Sequence, residues 1–358
     1  DGLRGIFSLM VVLYHYPEQF IPDYFHNFLL VKKAHLFVIF FFVLSGFVIT
    51  LNYKYVLDSG QQFWKFLQKR FIRLYPLLLY STLLFLAMQV SVKILFPQLA
   101  ANNSSFLPAI IETADTLLFL NSTPIISDTY GMNYPSWSIS AEMISYIFFG
   151  IVMVWASAKR QYLVMGSVMA LGMAFLVWVE LMGIKSNYAF VHGLVAFSIG
   201  YFVYHFSKYR ISLSPLWEIV VFAGLIGMFY LADLATDTAF KGLVECALMP
   251  LFFGVAILIL INCDGFISRS MDSRPAQYLG KISYSLYLNH AIFLTVVPMG
   301  IFKVLQIPPT PQLEFLVCAV ILVIVIVYSH FTYHIVEMGG SRVLKRMFGR
   351  QTATASAE

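Results

Sequence analysis

The sequence has few charged residues. Of its 358 residues only 11% are Asp, Glu, Lys or Arg, whereas 59% are hydrophobic and the mean hydropathy is +0.78. Soluble domains carry about 25% charged residues, so this chain cannot cover a water-facing surface. Long apolar stretches recur from one end to the other, and short alternating segments of the kind that build membrane β-barrels are missing. The composition predicts an all-α polytopic membrane protein.

Cysteine is scarce as well. Cys246, Cys263 and Cys318 lie in or beside apolar segments, without CxxC or zinc-type spacing. We therefore expect packing cysteines and no metal site. The net charge of +5 does not indicate nucleic acid as a partner, because the basic residues follow a membrane pattern. Asp1 already opens an apolar helix without the charged start of a cleavable signal peptide, so we expect native residues ahead of it.

The apolar stretches predict about ten membrane-spanning helices. They lie at 5–21, 35–51, 74–96, 138–156, 161–181, 188–206, 216–234, 243–262, 283–305 and 313–333. With a cytoplasmic N-terminus, the outer side receives only Lys32, Lys33, Lys93, Lys185, Lys241 and Lys303 of the 23 lysines and arginines. The inverse orientation would place all the others outside, against the positive-inside rule. Both termini are therefore predicted to be cytoplasmic.

One apolar segment is ambiguous. Residues 107–121 contain Pro108, Glu112 and Asp115, and a span here would invert every later loop. We predict instead an amphipathic or re-entrant helix within an outer excursion, 97–137, that could cap a site. The domain organisation is then one transmembrane domain over 1–340, followed by a cytoplasmic tail, 341–358, that is first basic and then disordered.

Two ionisable residues share the first apolar segment. Arg4 and His15 are eleven positions apart, which corresponds to about 16 Å along a helix. An imidazole at that depth in a membrane is costly and is therefore a functional-site hypothesis. The alternatives are that Arg4 is an interfacial anchor and that His15 only bonds a neighbouring helix.

A second basic pair precedes the third predicted span. Arg70 and Arg73 are three positions apart in a predicted inner loop, so they share a helical face and could grip one phosphate-bearing group. The alternative is an anchor that contacts anionic lipid.

The helix predicted at 138–156 begins at the outer face of the membrane and carries an acidic residue in its first turns. Ser138 is a plausible N-cap, and Glu142 lies about one turn inside the helix, at a depth like that of His15. A Glu142–His15 pair would orient the imidazole and raise its basicity. Alternatively, Glu142 is an acid favoured by the helix dipole.

Two further apolar helices carry small or polar residues. Ser283, Tyr287 and His290 form one stripe at i, i+4 and i+7, which lines either a cavity or a helix interface. Ser45-Gly46 permits close backbone approach, either of another helix or of a ligand chain.

Together these segments resemble the membrane-bound acyltransferase-3 family. The matching blocks occur in the family's order over about four fifths of the chain. They are Asp1–Gly5 with His15, Phe41–Phe47, Arg70–Pro76, Pro135–Glu142 and Tyr284–His290. Ser8 is a local departure, because the first helix of the family is usually more purely apolar.

The resemblance implies transfer of an acyl group, usually acetyl, from acyl-coenzyme A to a hydroxyl, commonly on a sugar. Family members modify lipopolysaccharide and other envelope or exported glycans. The chain resembles the standalone type, without a fused SGNH domain. We therefore expect acyl-CoA, a glycan or glycolipid acceptor and membrane lipids as partners, and a multi-pass location in the bacterial inner membrane.

We expect three sets of site residues from these motifs and the resemblance together. The catalytic residues are His15 and Glu142, and His15 acts as general base or transient acyl carrier. The donor-binding residues are Arg4, Arg70, Arg73, Ser45 and Tyr287, and the substrate-binding residues are Trp137, Ser138 and His290. The alternative function is a proton-coupled small-molecule exporter, although neither repeated halves nor matching broken helices are present.

Overall fold

The structure is a computed structural model. It describes residues 1–17, 20, 22, 25, 27–96, 106–209 and 211–354, and only the backbone of 349–354. Part of the predicted outer excursion (97–105), Arg210, the side chain of Arg350 and the end of the tail (355–358) lie outside the described residues. Within the described ranges every regular element is helical.

Twelve helices organise the described chain. They are α1 (Gly2–Tyr14), α2 (Phe37–Tyr53), α3 (Gly60–Leu95), α4 (Leu107–Leu117), α5 (Trp137–Trp155), α6 (Ala158–Met182), α7 (Ala189–Ser207), α8 (Leu216–Leu234), α9 (Met249–Leu260), α10 (Arg274–Pro298), α11 (Pro311–Thr332) and α12 (Met338–Thr354). Shorter helical pieces are Leu29–Lys32, Ala34–Leu36, Tyr134–Ser136, Thr238–Gly242, Leu243–Leu248, Phe266–Met271, Met299–Val304 and Tyr333–Glu337. Taken with the turns continuous with them, nine helices in the described ranges are long and apolar enough to cross a membrane, and α1 is a shorter apolar helix. The all-α polytopic prediction is confirmed.

Several predicted helix boundaries were wrong, and two of them bear on the site. The first helix ends at Tyr14 and not at residue 21, because Pro17 disfavours helical geometry in the residue before it. The third helix begins at Gly60 and not at residue 74, so Arg70 and Arg73 lie in a continuous helix and not in a loop. Ser59 caps this helix by accepting from the Gln62 amide at 3.4 Å. Hydropathy identifies only the apolar part of such a helix.

The outer segment and the tail are both docked on the bundle. Helix α4 has 11 residues and spans about 16 Å, too little to cross a membrane, as predicted. It is tied to the loop that follows by buried Thr116, which accepts from the Met132 amide at 3.2 Å. Helix α12 continues to Thr354, so the backbone of 351–354 is helical where the sequence predicts disorder. Ser341 fastens α12 to α3 by donating to Ile72 O at 2.8 Å.

Glycines bring two pairs of helices into backbone contact. Helices α2 and α7 cross at Gly46 and Gly200, where a Cβ on Gly46 would lie 2.2 Å from Phe197 O. Helices α1 and α10 cross at Gly5 and Gly280, where a Cβ on Gly5 would lie 2.6 Å from Gly280 N. Such close approach is possible only with glycine. Gly46 therefore serves helix packing, whereas its neighbour Ser45 faces the interior space described next.

Candidate functional site

A cavity of about 430 Å³ opens between α1, α2, α3, α5, α10 and the turn before α12. It brings together seven of the ten site residues predicted from the sequence, namely Arg4, Ser45, Arg70, Arg73, Ser138, Glu142 and Tyr287. Lys281 also lines it. All four cations belong to the set that the sequence assigns to the cytoplasmic side, and the fold gathers them in one place. The orientation itself remains a prediction.

Arg4 is held where α1 crosses α10. Its Nε donates to Ser283 Oγ at 3.0 Å and its Nη2 donates to Gly280 O at 2.9 Å. The same Nη2 lies 3.2 Å from Asp1 Oδ1. Because Gly5 and Gly280 approach closely, the backbone carbonyl of Gly280 lies within hydrogen-bond distance of the Arg4 guanidinium. Helix packing thus fixes this charge in one orientation before any ligand arrives.

Arg70 and Arg73, the two arginines of α3, have N–H donors that are not used in hydrogen bonds. Arg70 Nη2 donates to Tyr53 OH at 2.9 Å, and its Nε is buried without a hydrogen-bond partner among the described residues. Arg73 is exposed to the cavity mouth, and in the described part of the chain it forms no hydrogen bond or ion pair. Planar guanidinium groups with free N–H donors suit a ligand that carries several phosphate oxygens.

Glu142 faces the cavity and not His15. Ser45 Oγ donates to its Oε1 at 2.8 Å, and Tyr146 OH donates to the same oxygen. No hydrogen bond joins Glu142 to His15 within the described ranges, so the predicted Glu142–His15 contact was wrong, whereas the catalytic roles of the two residues stay predictions. Glu142 and Tyr146 are one turn apart on α5 and share the face that meets α2. The sequence predicted Glu142 beside His15, but in the structure Glu142 lines the cavity, on the other side of Ser138 and Tyr287 from His15.

His15 pairs instead with His290. Its Nδ1 lies 3.2 Å from His290 Nε2 and 3.0 Å from Val11 O, and the two rings are 5.1 Å apart. The ring of Tyr134 lies 5.0 Å from His15. His290 is fully buried, whereas His15 is half-buried at the C-terminal end of α1. With its Nδ1 proton donated to Val11 O, His15 keeps a lone pair on Nε2 that can accept a proton.

Ser138 and Tyr287 separate the cavity from the histidine pair. Ser138 Oγ donates to Tyr287 OH at 3.0 Å and also lies 3.1 Å from Pro135 O. Ser138 is therefore not the predicted N-cap, because α5 begins one residue earlier and continues from a 3₁₀ turn. The Tyr287 ring lies 5.9 Å from the His290 ring, three residues further along α10. The histidine pair thus sits one helical turn beyond the inner end of the cavity.

The remaining predicted substrate-binding residue lies elsewhere. Trp137, the first residue of α5, packs against Phe42 and Tyr130, with ring centroids 6.0 and 6.3 Å apart, and it does not line the cavity. Its position near the end of the bundle that is predicted to be outer follows from the place where α5 begins.

Sequence reasoning missed a second buried acid. Glu337 lines the cavity, is 3% exposed and accepts from Ser285 Oγ at 2.9 Å. The positive charges of Arg73 and Arg4 both stabilise its carboxylate. Its signal in the sequence, a single acid at the end of an apolar stretch, is the one that singled out Glu142. Glu337 was overlooked because it falls after the last predicted span.

The comparisons with known proteins agree with the motifs. The family model Acyl_transf_3, described as an acyltransferase domain, matches residues 1–330. No curated protein and no solved structure gave a significant match. The family model covers most of the chain and includes the arginines of the cavity, Glu142 and the histidine pair. The chain therefore belongs to the membrane-bound acyltransferase-3 family.

Proposed function

We propose that the protein transfers an acyl group, in the simplest case acetyl, from cytoplasmic acyl-CoA to a hydroxyl of an envelope glycan or glycolipid in the bacterial inner membrane. Membership of the family supports membrane O-acyltransferase activity. One observation carries the choice of donor: Arg4, Arg70 and Arg73 converge on a cavity whose inner end lies one turn from His15 and His290. A proton-coupled exporter has no comparable support.

The charged mouth of the cavity suits the phosphates of coenzyme A. Arg73 and Lys281 are exposed there, and Arg4 is already oriented by its bonds to α10. Guanidinium groups bind phosphate oxygens through two parallel N–H donors, so a multiply charged donor is favoured over a neutral one.

The polar lining offers a path for the pantetheine arm. Its amide N–H groups can donate to Glu142, and its carbonyl oxygens can accept from Ser45 or Tyr146 once those hydroxyls turn from the carboxylate. The arm ends against Ser138 and Tyr287, where the cavity closes. The distance from Arg4 to His15 along α1, about 16 Å, is then an upper limit on the distance between the phosphates and the thioester.

In this scheme His15 removes the proton from the acceptor hydroxyl. The hydroxyl oxygen attacks the thioester carbon, the C–S bond breaks, and the protonated His15 returns the proton to the leaving thiolate. His290 is a positioning residue that holds the imidazole of His15. A covalent route, in which His15 carries the acyl group, uses the same residues. It differs in one observable: acyl-CoA and labelled free CoA would exchange without acceptor.

Two measurements test the proposal. Purified protein should be stabilised against heat by CoA, and envelope glycans from a deletion strain should lose the mass of one acyl group per modified sugar. Complementation with the wild-type gene restores the modification, whereas the Arg70→Gln/Arg73→Gln variant does not. Unchanged glycans in the deletion strain would remove the acceptor assignment, and stabilisation that is equal in the arginine variant would remove the donor assignment.

A further inference from the structure

A second basic cluster lies apart from the cavity. Lys54 directly follows α2 and Lys208 directly follows α7, so both sit where a helix ends on the side predicted to be cytoplasmic. Tyr55, Tyr162 and His205 surround them. No member of this cluster lines the cavity that holds the proposed active site, so the cluster requires its own explanation.

Hydrogen bonds fix the two lysines in place. Lys54 Nζ lies 2.7 Å from His205 Nε2, and Tyr162 OH lies 2.9 Å from His205 Nδ1. An ammonium can only donate, so His205 accepts at Nε2 and donates from Nδ1, which makes the ring neutral. Lys208 Nζ donates to Tyr55 OH at 2.9 Å. The cluster is thus an ordered group of side chains and not a set of freely moving lysines.

Both ammonium groups lie against the same two aromatic rings. The Tyr55 centroid is 5.7 Å from Lys54 Nζ and 5.3 Å from Lys208 Nζ. The Tyr204 centroid is 5.9 Å and 5.1 Å from the same atoms. Two positive charges therefore share one small aromatic surface, where they repel each other. Cation–π contact compensates part of this cost.

No acid neutralises the pair. In the part of the chain that the structure describes, neither Lys54 nor Lys208 has a carboxylate within ion-pair distance. Partial burial lowers the pKa of Lys54, and the charge of Lys208 lowers it further. The lysine pair that the sequence assigns to the outer side is different, since Lys32 and Lys33 lie 2.6 and 3.6 Å from Asp233.

The cluster also contains an unused polar atom. Tyr201 is fully buried beside His205, with its ring 4.5 Å from the imidazole, and its hydroxyl has no hydrogen-bond partner in the described ranges. A positive pair without a carboxylate partner, next to one spare hydroxyl group, is an arrangement that an anionic ligand would complete.

We propose that the Lys54–Lys208 cluster binds the phosphate-bearing headgroup of an acidic membrane lipid. The phosphate oxygens accept from both ammonium groups and so remove the repulsion between them. Apolar side chains next to the cluster provide a surface for the acyl chains, because Leu51, one turn before Lys54, is 54% exposed and Phe206 is 58% exposed. A basic group at the cytoplasmic interface with lipid-facing apolar neighbours favours a lipid over a free anion.

The test measures thermal unfolding of the whole protein in detergent, titrated with phosphatidylglycerol or with phosphatidylcholine. We expect phosphatidylglycerol to raise the midpoint and phosphatidylcholine to leave it unchanged. The Lys54→Gln/Lys208→Gln variant should bind phosphatidylglycerol about tenfold more weakly. The Lys54→Arg/Lys208→Arg variant, which keeps both charges, should retain the effect.

A matched control removes two exposed lysines elsewhere. The Lys185→Gln/Lys303→Gln variant should keep the full response to phosphatidylglycerol. If this variant loses as much stabilisation as the Lys54→Gln/Lys208→Gln variant, the response depends only on net charge and the proposed site is overturned. A wild-type response in the Lys54→Gln/Lys208→Gln variant would also overturn it. If inorganic phosphate stabilises as strongly and through the same lysines, the ligand is a free anion and not a lipid. Stabilisation by CoA should be the same in all these variants, so this result is independent of the proposed acyl donor.

Discussion

The two halves of the site, the cavity and the histidine pair, differ in their exposure to solvent. The cavity has an open mouth with exposed Arg73 and Lys281, and its arginines keep donors free for a ligand. The histidine pair lies behind it, with His290 fully buried and aromatic rings on both sides. Recognition of a charged group tolerates water, whereas proton transfer in a water-excluded site gains from fixed electrostatics. The difference predicts that binding and chemistry can be separated by mutation.

The largest effect should come from His15→Ala. Loss of a general base lowers kcat by about 10³-fold, while donor affinity stays unchanged because His15 does not line the cavity. Transfer of labelled acyl groups and CoA binding, measured on the same preparation, check this. The control is His330→Ala, which removes an exposed histidine on α11. Retained transfer in His15→Ala would show that the base lies elsewhere.

His290→Phe should lower kcat by about 10²-fold, because the imidazole of His15 loses the partner that positions it. The KM for the donor should not change. His290→Gln, which retains a polar group for the contact, should recover part of the rate. If Phe and Gln lower the rate equally, the contact with His15 is not what matters at this position.

Arg73→Gln should raise the KM for acyl-CoA about tenfold and leave kcat within roughly twofold, since a charged hydrogen bond contributes about 1.5–3 kcal/mol. Arg342→Gln is the matched control, because Arg342 is an exposed arginine on α12 that does not line the cavity. Steady-state kinetics over a range of donor concentrations distinguishes the two parameters. A fall in kcat at unchanged KM would place Arg73 in the chemical step.

Salt should produce the smallest effect, and it should change donor binding at the cavity but not the chemical step at the histidine pair. Raising the ionic strength from about 0.05 M to about 0.5 M shortens the Debye length and should weaken donor binding roughly threefold at the exposed mouth. The rate at saturating donor should stay constant because neither histidine lines the charged cavity. A salt-dependent rate at saturation would indicate that the charges of the cavity also act on the chemical step.

The sequence predicted much of the site because its strongest signals are ionisable residues in apolar helices. Arg4 was found that way, Arg70 and Arg73 were found by their spacing on one helical face, and Ser45 was found by its place beside Gly46. The structure places all four on one cavity. The prediction failed where direction around a helix mattered. Glu142, expected to pair with His15, is hydrogen-bonded to Ser45 and Tyr146 instead. His290, expected to bind substrate, is the residue that meets His15.

The amino-acid sequence by itself determined the membrane class, the set of apolar helices and the family, because these depend on composition and on local order along the chain. The tertiary structure alone decided which polar groups touch. Those contacts depend on helices that are far apart in sequence and approach closely only at glycines, Gly46 with Gly200 and Gly5 with Gly280. Helix rotation at these crossings sets the partners of Arg4, Glu142 and His15, and neither hydropathy nor spacing along one helix contains that information.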